Sequence, residues 1–191
     1  MAGPADFALV EVTAVDVVRA KLAYARMGAR ALAGEHGWAG FAAEFAFIHA
    51  VAEPITAEKS PTLDYDVRLR RLGGKAEPRP IALELKTRVA EEGWTHPEKF
   101  EWLVVPTHEG REPIKPAADL VVFCWYALEQ RDRLWVLGQV RGADEFRRRA
   151  VFYREGEPLP RGGWAGPGGA YAINVKELRP MPRSMFKELD R

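Results

Sequence analysis

The alternating stretch at residues 61–88 constrains this chain more than any other. It reads PTLDYDVRLRRLGGKAEPRPIALELKTR, two runs of period two joined across Leu72-Gly73-Gly74-Lys75. Successive side chains of a strand point to opposite faces, so Ile81, Leu83 and Leu85 fall on one face and Ala82, Glu84 and Lys86 on the other. Glu84 and Lys86 then stand side by side, roughly 7 Å apart at about 3.3 Å per residue. In the first run Tyr65, Val67 and Leu69 alternate with Asp64, Asp66 and Arg68. A hairpin through Gly73-Gly74 brings an aspartate of the first strand against the Glu/Lys edge of the second. Two carboxylates and an ammonium beside an apolar wall can bind a divalent metal and activate water. The competing reading of the same residues is a solvated strand face with a cross-strand ion pair, worth roughly 0.2–1 kcal/mol.

The remaining elements give this hairpin a setting. Thr13 with Asp16 three residues later has the form of a capping box, opening a helix over about 14–33 with Val17, Val18, Leu22 and Ala25 on its apolar side. Gly34 and Gly37 break it, and a second helix over about 38–52 carries Trp38, Phe41, Phe45 and Ile48 at helical spacing until Pro54. Residues 89–118 are polar and proline-rich around the apolar run 102–105, and read as a helix followed by a loop. Residues 120–127 read as a fully buried strand and 134–140 as its neighbour, across the polar turn at 130–133. An Arg-rich segment at 142–153, a flexible glycine loop at 162–169 and a late strand at 171–175 follow. No internal repeat or linker interrupts the order. The expectation is a single α/β domain over 1–191, with its core at about 13–178, a central mixed sheet flanked by helices and a peripheral tail from Pro180.

Composition narrows the class. With 191 residues, 47% apolar and 29% charged, the chain is long enough for one sizeable core and has the balance of a soluble globular protein. A net charge of +1 argues against coating nucleic acid by charge alone. Cys124 is the only cysteine, which excludes an intramolecular disulfide and a cysteine-rich zinc site; within its apolar run it reads as a small buried side chain. That run is too short to span a bilayer, so no membrane partner is expected. The first residues lack the pattern of a secretion signal, and a cytoplasmic location is the expectation.

In the residues LDYDVRL, IALELKTR and GFAAEFAFI the chain resembles the PD-(D/E)xK nuclease superfamily, which has the restriction-endonuclease-like fold. The matching positions are Asp66, Glu84, Lys86 and, on the preceding helix, Glu44. The resemblance covers about residues 38–88. It departs from the pattern in that no proline stands directly before Asp66, Pro61 being the nearest upstream, and Asp64 on the same strand face is a rival for the metal position. The resemblance implies a metal-dependent endonuclease hydrolysing DNA phosphodiester bonds. Asp66 and Glu84, with Glu44 and the Leu85 carbonyl, would bind Mg2+ (or Mn2+). Lys86 would orient or deprotonate the attacking water, or stabilise developing negative charge; the base role needs burial to favour the neutral amine against the pull of the carboxylates. Restriction, junction-resolving, repair and phage-type roles stay open, as does a homodimer that cuts both strands. The alternatives are an RNase on the same scaffold and a non-catalytic nucleic-acid-binding or assembly protein.

Other residues carry weaker signals. Glu44 lies three residues after Phe41 and four before Ile48, on the edge of an apolar stripe, where a carboxylate needs a metal, a bound water or Lys86 as partner, or else reaches solvent. Arg68, Arg70 and Arg88 make the hairpin basic, and Arg147 and Arg148 lie in an Arg run partly offset by Asp144 and Glu145; these are the candidate phosphate contacts. Trp164 in RGGWAGPGG either stacks on a base or anchors its loop, and the anchor is the preferred reading. His36, His49, His96 and His108 lack zinc-ligand spacing and read as structural or exposed.

Overall fold

Two runs of period-two sequence, at residues 67–71 and 81–90, pair as antiparallel strands inside the larger of two sheets. A computed structural model of the chain describes residues 7–27, 37–62, 64, 66–72, 79–90, 101–107, 112–130, 132–160 and 162–187. Its elements are β1 (Ala8–Glu11), α1 (Ala14–Met27), α2 (Trp38–Ala50), β2 (Ile55–Lys59), β3 (Val67–Arg71), β4 (Ile81–Ala90) and β5 (Trp102–Pro106). They continue with β6 (Leu120–Ala127), β7 (Arg133–Val140), α3 (Gly142–Arg149), β8 (Val151–Tyr153) and β9 (Ala170–Asn174). The larger sheet has six strands in the order β1-β7-β6-β4-β3-β2, and the smaller has three in the order β5-β9-β8. All pairings are antiparallel except β4 with β6, which makes the six-stranded sheet mixed.

Each face of that sheet has its own apolar layer. Val67, Leu69, Leu83, Leu85, Val122, Cys124 and Tyr126 face the helices. Val121, Phe123, Trp125 and Ala127, the alternate residues of β6, face the smaller sheet and Phe146 of α3. This two-sided burial explains why β6 reads as a continuous apolar run rather than an alternating one. α2 lies on the sheet through Ala39, Ala42, Ala43 and Ala46, all fully buried, because small side chains let a helix backbone approach a strand layer closely. Of the expected stripe Trp38 is buried, while Phe41, Phe45 and Ile48 are only partly buried at the flanks.

α1 differs from its expected orientation. Val18 and Leu22 are 58% and 54% exposed and Ala25 is exposed, while Asp16 and Ala20 are fully buried. The reason is polar. Thr13 N and Oγ1 donate to Asp16 Oδ2 at 2.9 and 2.7 Å, the Asp16 amide returns a bond to Thr13 Oγ1 at 3.2 Å, and Asp16 Oδ1 lies 2.6 Å from His49 Nδ1 at the end of α2. A buried carboxylate demands such partners, and they fix the rotation of the helix.

The tail is a second correction. Met181, Met185 and Phe186 are buried, the Phe186 ring packs edge-on against Phe47 at 5.5 Å, and Ala52 N donates to Met185 O at 2.8 Å. Residues 181–186 thus close the helix-side core instead of lying at the periphery. Arg179 is held just before them by a pair of backbone bonds with Gln139. Gly138 makes this crossing possible: at φ +150° a Cβ there would sit 2.7 Å from the Arg179 carbonyl oxygen.

The segment at 102–106, expected to lie between a helix and a loop, is β5, paired with β9. The Gly73-Gly74 turn, the first helix beyond Met27 with its Gly34 break, the helix expected after Ala90, Tyr65, His36, His96 and His108 lie outside the described residues. No helix among the described residues is long and apolar enough to cross a membrane.

Candidate functional site

The register of β3 on β4 places the first two acidic residues. Val67 is paired with Leu83, so one further step sets Asp66 opposite Glu84, and Asp66 N donates to Leu83 O at 2.8 Å. Because Val67 and Leu69 turn into the helix-side core, Asp66 turns to the opposite face, the face that Glu84 and Lys86 share. Regular pairing of the two strands ends here. The Asp66 side chain takes over, its Oδ2 accepting from Leu85 N at 2.9 Å. A strand residue sends its N–H and C=O to the same edge, so the Leu85 carbonyl leaves β4 on the Asp66 side.

Lys115 completes the cluster. It belongs to the connection between β5 and β6, clamped onto β4 where Asp119 N donates to Ala82 O and Ala82 N donates to Asp119 Oδ2, at 2.8 and 2.9 Å. Its amide donates to Glu84 Oε2 at 2.7 Å, and its ammonium donates to Asp66 Oδ1 at 2.5 Å. Glu84, only 2% exposed, also holds Lys86 Nζ at 2.6 Å through Oε1. Asp66, Glu84, Lys86 and Lys115 are thus joined by one chain of charged contacts at the end of the β3–β4 ladder. Asp64 is exposed, with its amide turned to Thr62 Oγ1 at 3.4 Å.

Glu44 meets the cluster from the other side of the sheet. Its carboxylate is paired with Lys59, the last residue of β2, rather than with Lys86 as sequence allowed. Lys59 sits opposite Val67 and is near enough to Asp66 and Lys115 to feel both charges. Burial pushes the Lys59 ammonium below the usual lysine range and Lys115 pushes the same way, while Asp66 opposes. The side chain is still 39% exposed, so solvent screens these effects. Three carboxylates, Glu44, Asp66 and Glu84, therefore face three lysines, Lys59, Lys115 and Lys86. Among the described residues no group of three or more His, Cys, Asp or Glu side chains is gathered to hold a metal ion, so Glu44 is not brought into one ligand set with Asp66 and Glu84.

The donor chemistry of what is gathered is all oxygen: two carboxylates and the Leu85 carbonyl edge. Mg2+ is commonly bound by one or two carboxylates with waters and substrate phosphates completing its shell, which this pair fits. Each carboxylate oxygen keeps a lone pair beyond its present hydrogen bond.

The basic residues divide. Arg68 and Arg70 share Glu58, at 2.7 and 3.5 Å through their Nε atoms. Arg88 is exposed on β4, two residues beyond Lys86, on the wall of a cleft of about 480 Å3 between β4, β5 and the Glu112-Pro113 segment. Arg147 bonds Glu112 at 2.7 Å and Asp144 at 3.1 Å, which raises its pKa further and ties α3 to the rim of that cleft. Arg148 is exposed on α3. Arg149 is a structural partner of buried Glu145, at 2.8 Å. Trp164 is 70% exposed, so it does not anchor its loop by burial. Cys124 is fully buried, and desolvation pushes its thiol well up, as befits an inert core residue.

Lys59 and Lys115 were not singled out from sequence. Lys59 had a signal, since ITAEK puts a lysine where the alternation of Ile55 and Ala57 calls for an apolar residue. Lys115 had none, because only the folding of the β5–β6 connection onto β4 brings it to the carboxylates. Comparison with known proteins returns no matching family model, curated protein or solved structure.

Proposed function

We propose that this chain is a metal-dependent nuclease that hydrolyses DNA phosphodiester bonds, on a restriction-endonuclease-like scaffold of the PD-(D/E)xK type. The observation that carries the reading is the juxtaposition of Asp66 and Glu84 across β3 and β4, with Lys86 bonded to Glu84 and Lys115 bonded to both carboxylates. Connectivity adds support: a helix, three antiparallel strands and a return parallel to the third, with Asp66 leading into the second strand and Glu84 and Lys86 on the third.

On this reading Asp66, Glu84 and the Leu85 carbonyl hold Mg2+ or Mn2+. When bound, the ion polarises a phosphate oxygen and acidifies water. The protein's own part is electrostatic. Lys86 and Lys115 are hydrogen-bond donors fixed by carboxylates, and they present positive charge where a phosphate gains negative charge. Glu44 positions Lys59, and through it the third positive charge beside Asp66. Arg88 on the cleft wall and Arg147 at its rim would be phosphate contacts for the strand on either side of the scissile bond. A homodimer would supply two such sites for cutting both strands.

One observation favours a second reading, a nucleic-acid-binding or assembly protein that does not cut. Each of the three carboxylates is already neutralised by a lysine. Incubation of the protein with supercoiled, linear, single-stranded and branched DNA in Mg2+ or Mn2+ separates the two. The nuclease reading expects cleavage that EDTA and Lys86→Ala abolish. Binding with no cleavage of any substrate in either metal sinks it and leaves the second.

A further inference from the structure

The cleft beside Lys86 has a size and lining that constrain what can enter it. We propose that it is a subsite for one unpaired nucleotide, so that the site acts on single-stranded or locally opened DNA; this rests on the nuclease reading above. The cavity of about 480 Å3 lies in the range of small-molecule sites, roughly 300–1,000 Å3. As a cube it would be about 8 Å on a side, narrower than the ~12 Å major groove alone of a duplex. A base with its sugar is small enough for a space of that volume.

The walls suit such a guest. Val104, Val105 and Pro106 of β5 and the buried ring of Phe123 supply an apolar surface, and Lys86 and Arg88 supply cations on the same wall one strand period apart. The regular pairing of β3 with β4 spans Ile81–Leu83, before the cleft residues begin. Reading of an unpaired base against such a wall is the usual way to recognise a nucleotide removed from its stack.

The test is binding of a fluorescein-labelled 15-nucleotide DNA, followed by anisotropy in Ca2+, together with cleavage of the same sequence in Mn2+. Single-stranded DNA is expected to bind at least tenfold tighter than the blunt duplex, and an unpaired stretch within a duplex to be cut at least tenfold faster than the paired one. Val104→Trp, which fills the cleft from a half-buried position, is expected to weaken single-strand binding at least tenfold. Pro106→Glu, which sets a carboxylate at an exposed position of the apolar wall, is expected to weaken it at least threefold, which guards against a folding defect in the first variant. Equal or tighter binding of duplex overturns the inference, as does unchanged single-strand binding in both folded variants. Tighter binding of RNA of the same sequence overturns the assignment to DNA. Duplex cleavage without single-strand preference overturns the inference and leaves the nuclease reading standing. Single-strand preference with no cleavage of any substrate overturns the nuclease reading alone.

Discussion

Glu84→Gln removes one negative charge from the centre of the cluster while keeping the side chain's shape. Glu84 is 2% exposed, with Oε2 taken by the Lys115 amide at 2.7 Å and Oε1 by the Lys86 ammonium at 2.6 Å. A glutamine can keep the first bond through its oxygen, but its NH2 then faces the Lys86 ammonium, donor against donor. A hydrogen bond to a charged group contributes about 1.5–3 kcal/mol, and the lower end applies because Lys86 is already 28% exposed and can turn towards water. The bond from the Lys115 amide passes from a charged to a neutral acceptor, losing about half its strength, roughly 0.5–1 kcal/mol. The expected destabilisation is about 2–2.5 kcal/mol, which at roughly 2–4 °C per kcal/mol lowers Tm by about 4–10 °C in a chain of this size. Thermal unfolding followed by circular dichroism in metal-free buffer measures it. The Lys86→Met cycle should show a coupling of about 1–2 kcal/mol between the two residues. On the proposed nuclease reading, cleavage should fall at least about 100-fold, or ~2.7 kcal/mol of transition-state stabilisation. If Glu84→Gln melts at or above the wild-type temperature without metal, the carboxylate is held in place against repulsion and not by its lysine contacts, and the reasoning from charge balance is wrong.

Three further outcomes follow from the same contacts. Lys115→Met keeps the backbone bond to Glu84 but takes the ammonium from Asp66, and should lower kcat/KM for DNA cleavage about 10-fold or more while reducing stability by only ~1 kcal/mol, since Asp66 is 13% exposed and keeps the Leu85 amide; full activity would remove Lys115 from the proposed mechanism. Phe186→Ala should cost about 3–5 kcal/mol in urea unfolding, because the ring is buried against Phe47, and a loss under 1 kcal/mol would return the tail to the periphery. Burial pushes the Glu145 carboxyl up, but the Arg141 amide and the Arg149 and Arg179 guanidiniums outweigh it and leave the native pKa below the ordinary 4.5. A depressed native pKa gives stability that is present above 4.5 and lost as pH falls through the native value, so Glu145→Gln should flatten the acid limb of the stability–pH curve; unchanged slopes between pH 5 and pH 3 would contradict the pairing.

The parts of this molecule legible in one dimension are those whose geometry is set by near neighbours. Strand parity placed Glu84 and Lys86 on one face, and a single hairpin register then set Asp66 against Glu84, because a slip of one residue would have turned Val67 and Leu69 out of the core. The hairpin of β6 and β7 was readable for the same reason, as was the reciprocal cap of Thr13 and Asp16. Where elements meet, pattern alone misled. The rotation of α1 was decided by the need of buried Asp16 for His49, and α2 buried its alanines together with Trp38 and Phe47, leaving Phe41, Phe45 and Ile48 at the flanks. Met181, Met185 and Phe186 look like an ordinary tail until the corner beside α2 that they fill exists.

The same division runs through the candidate site. Its acidic residues and Lys86 follow from local periodicity, whereas Lys59 and Lys115 arrive from a different sheet edge and a distant connection. Folding therefore turned a motif of three carboxylates and one lysine into a balanced cluster of three carboxylates and three lysines. The physical reason is general: a period of two or 3.6 specifies which way a side chain points, but a charge finds its counter-charge across space, through contacts that only the packed chain brings within reach.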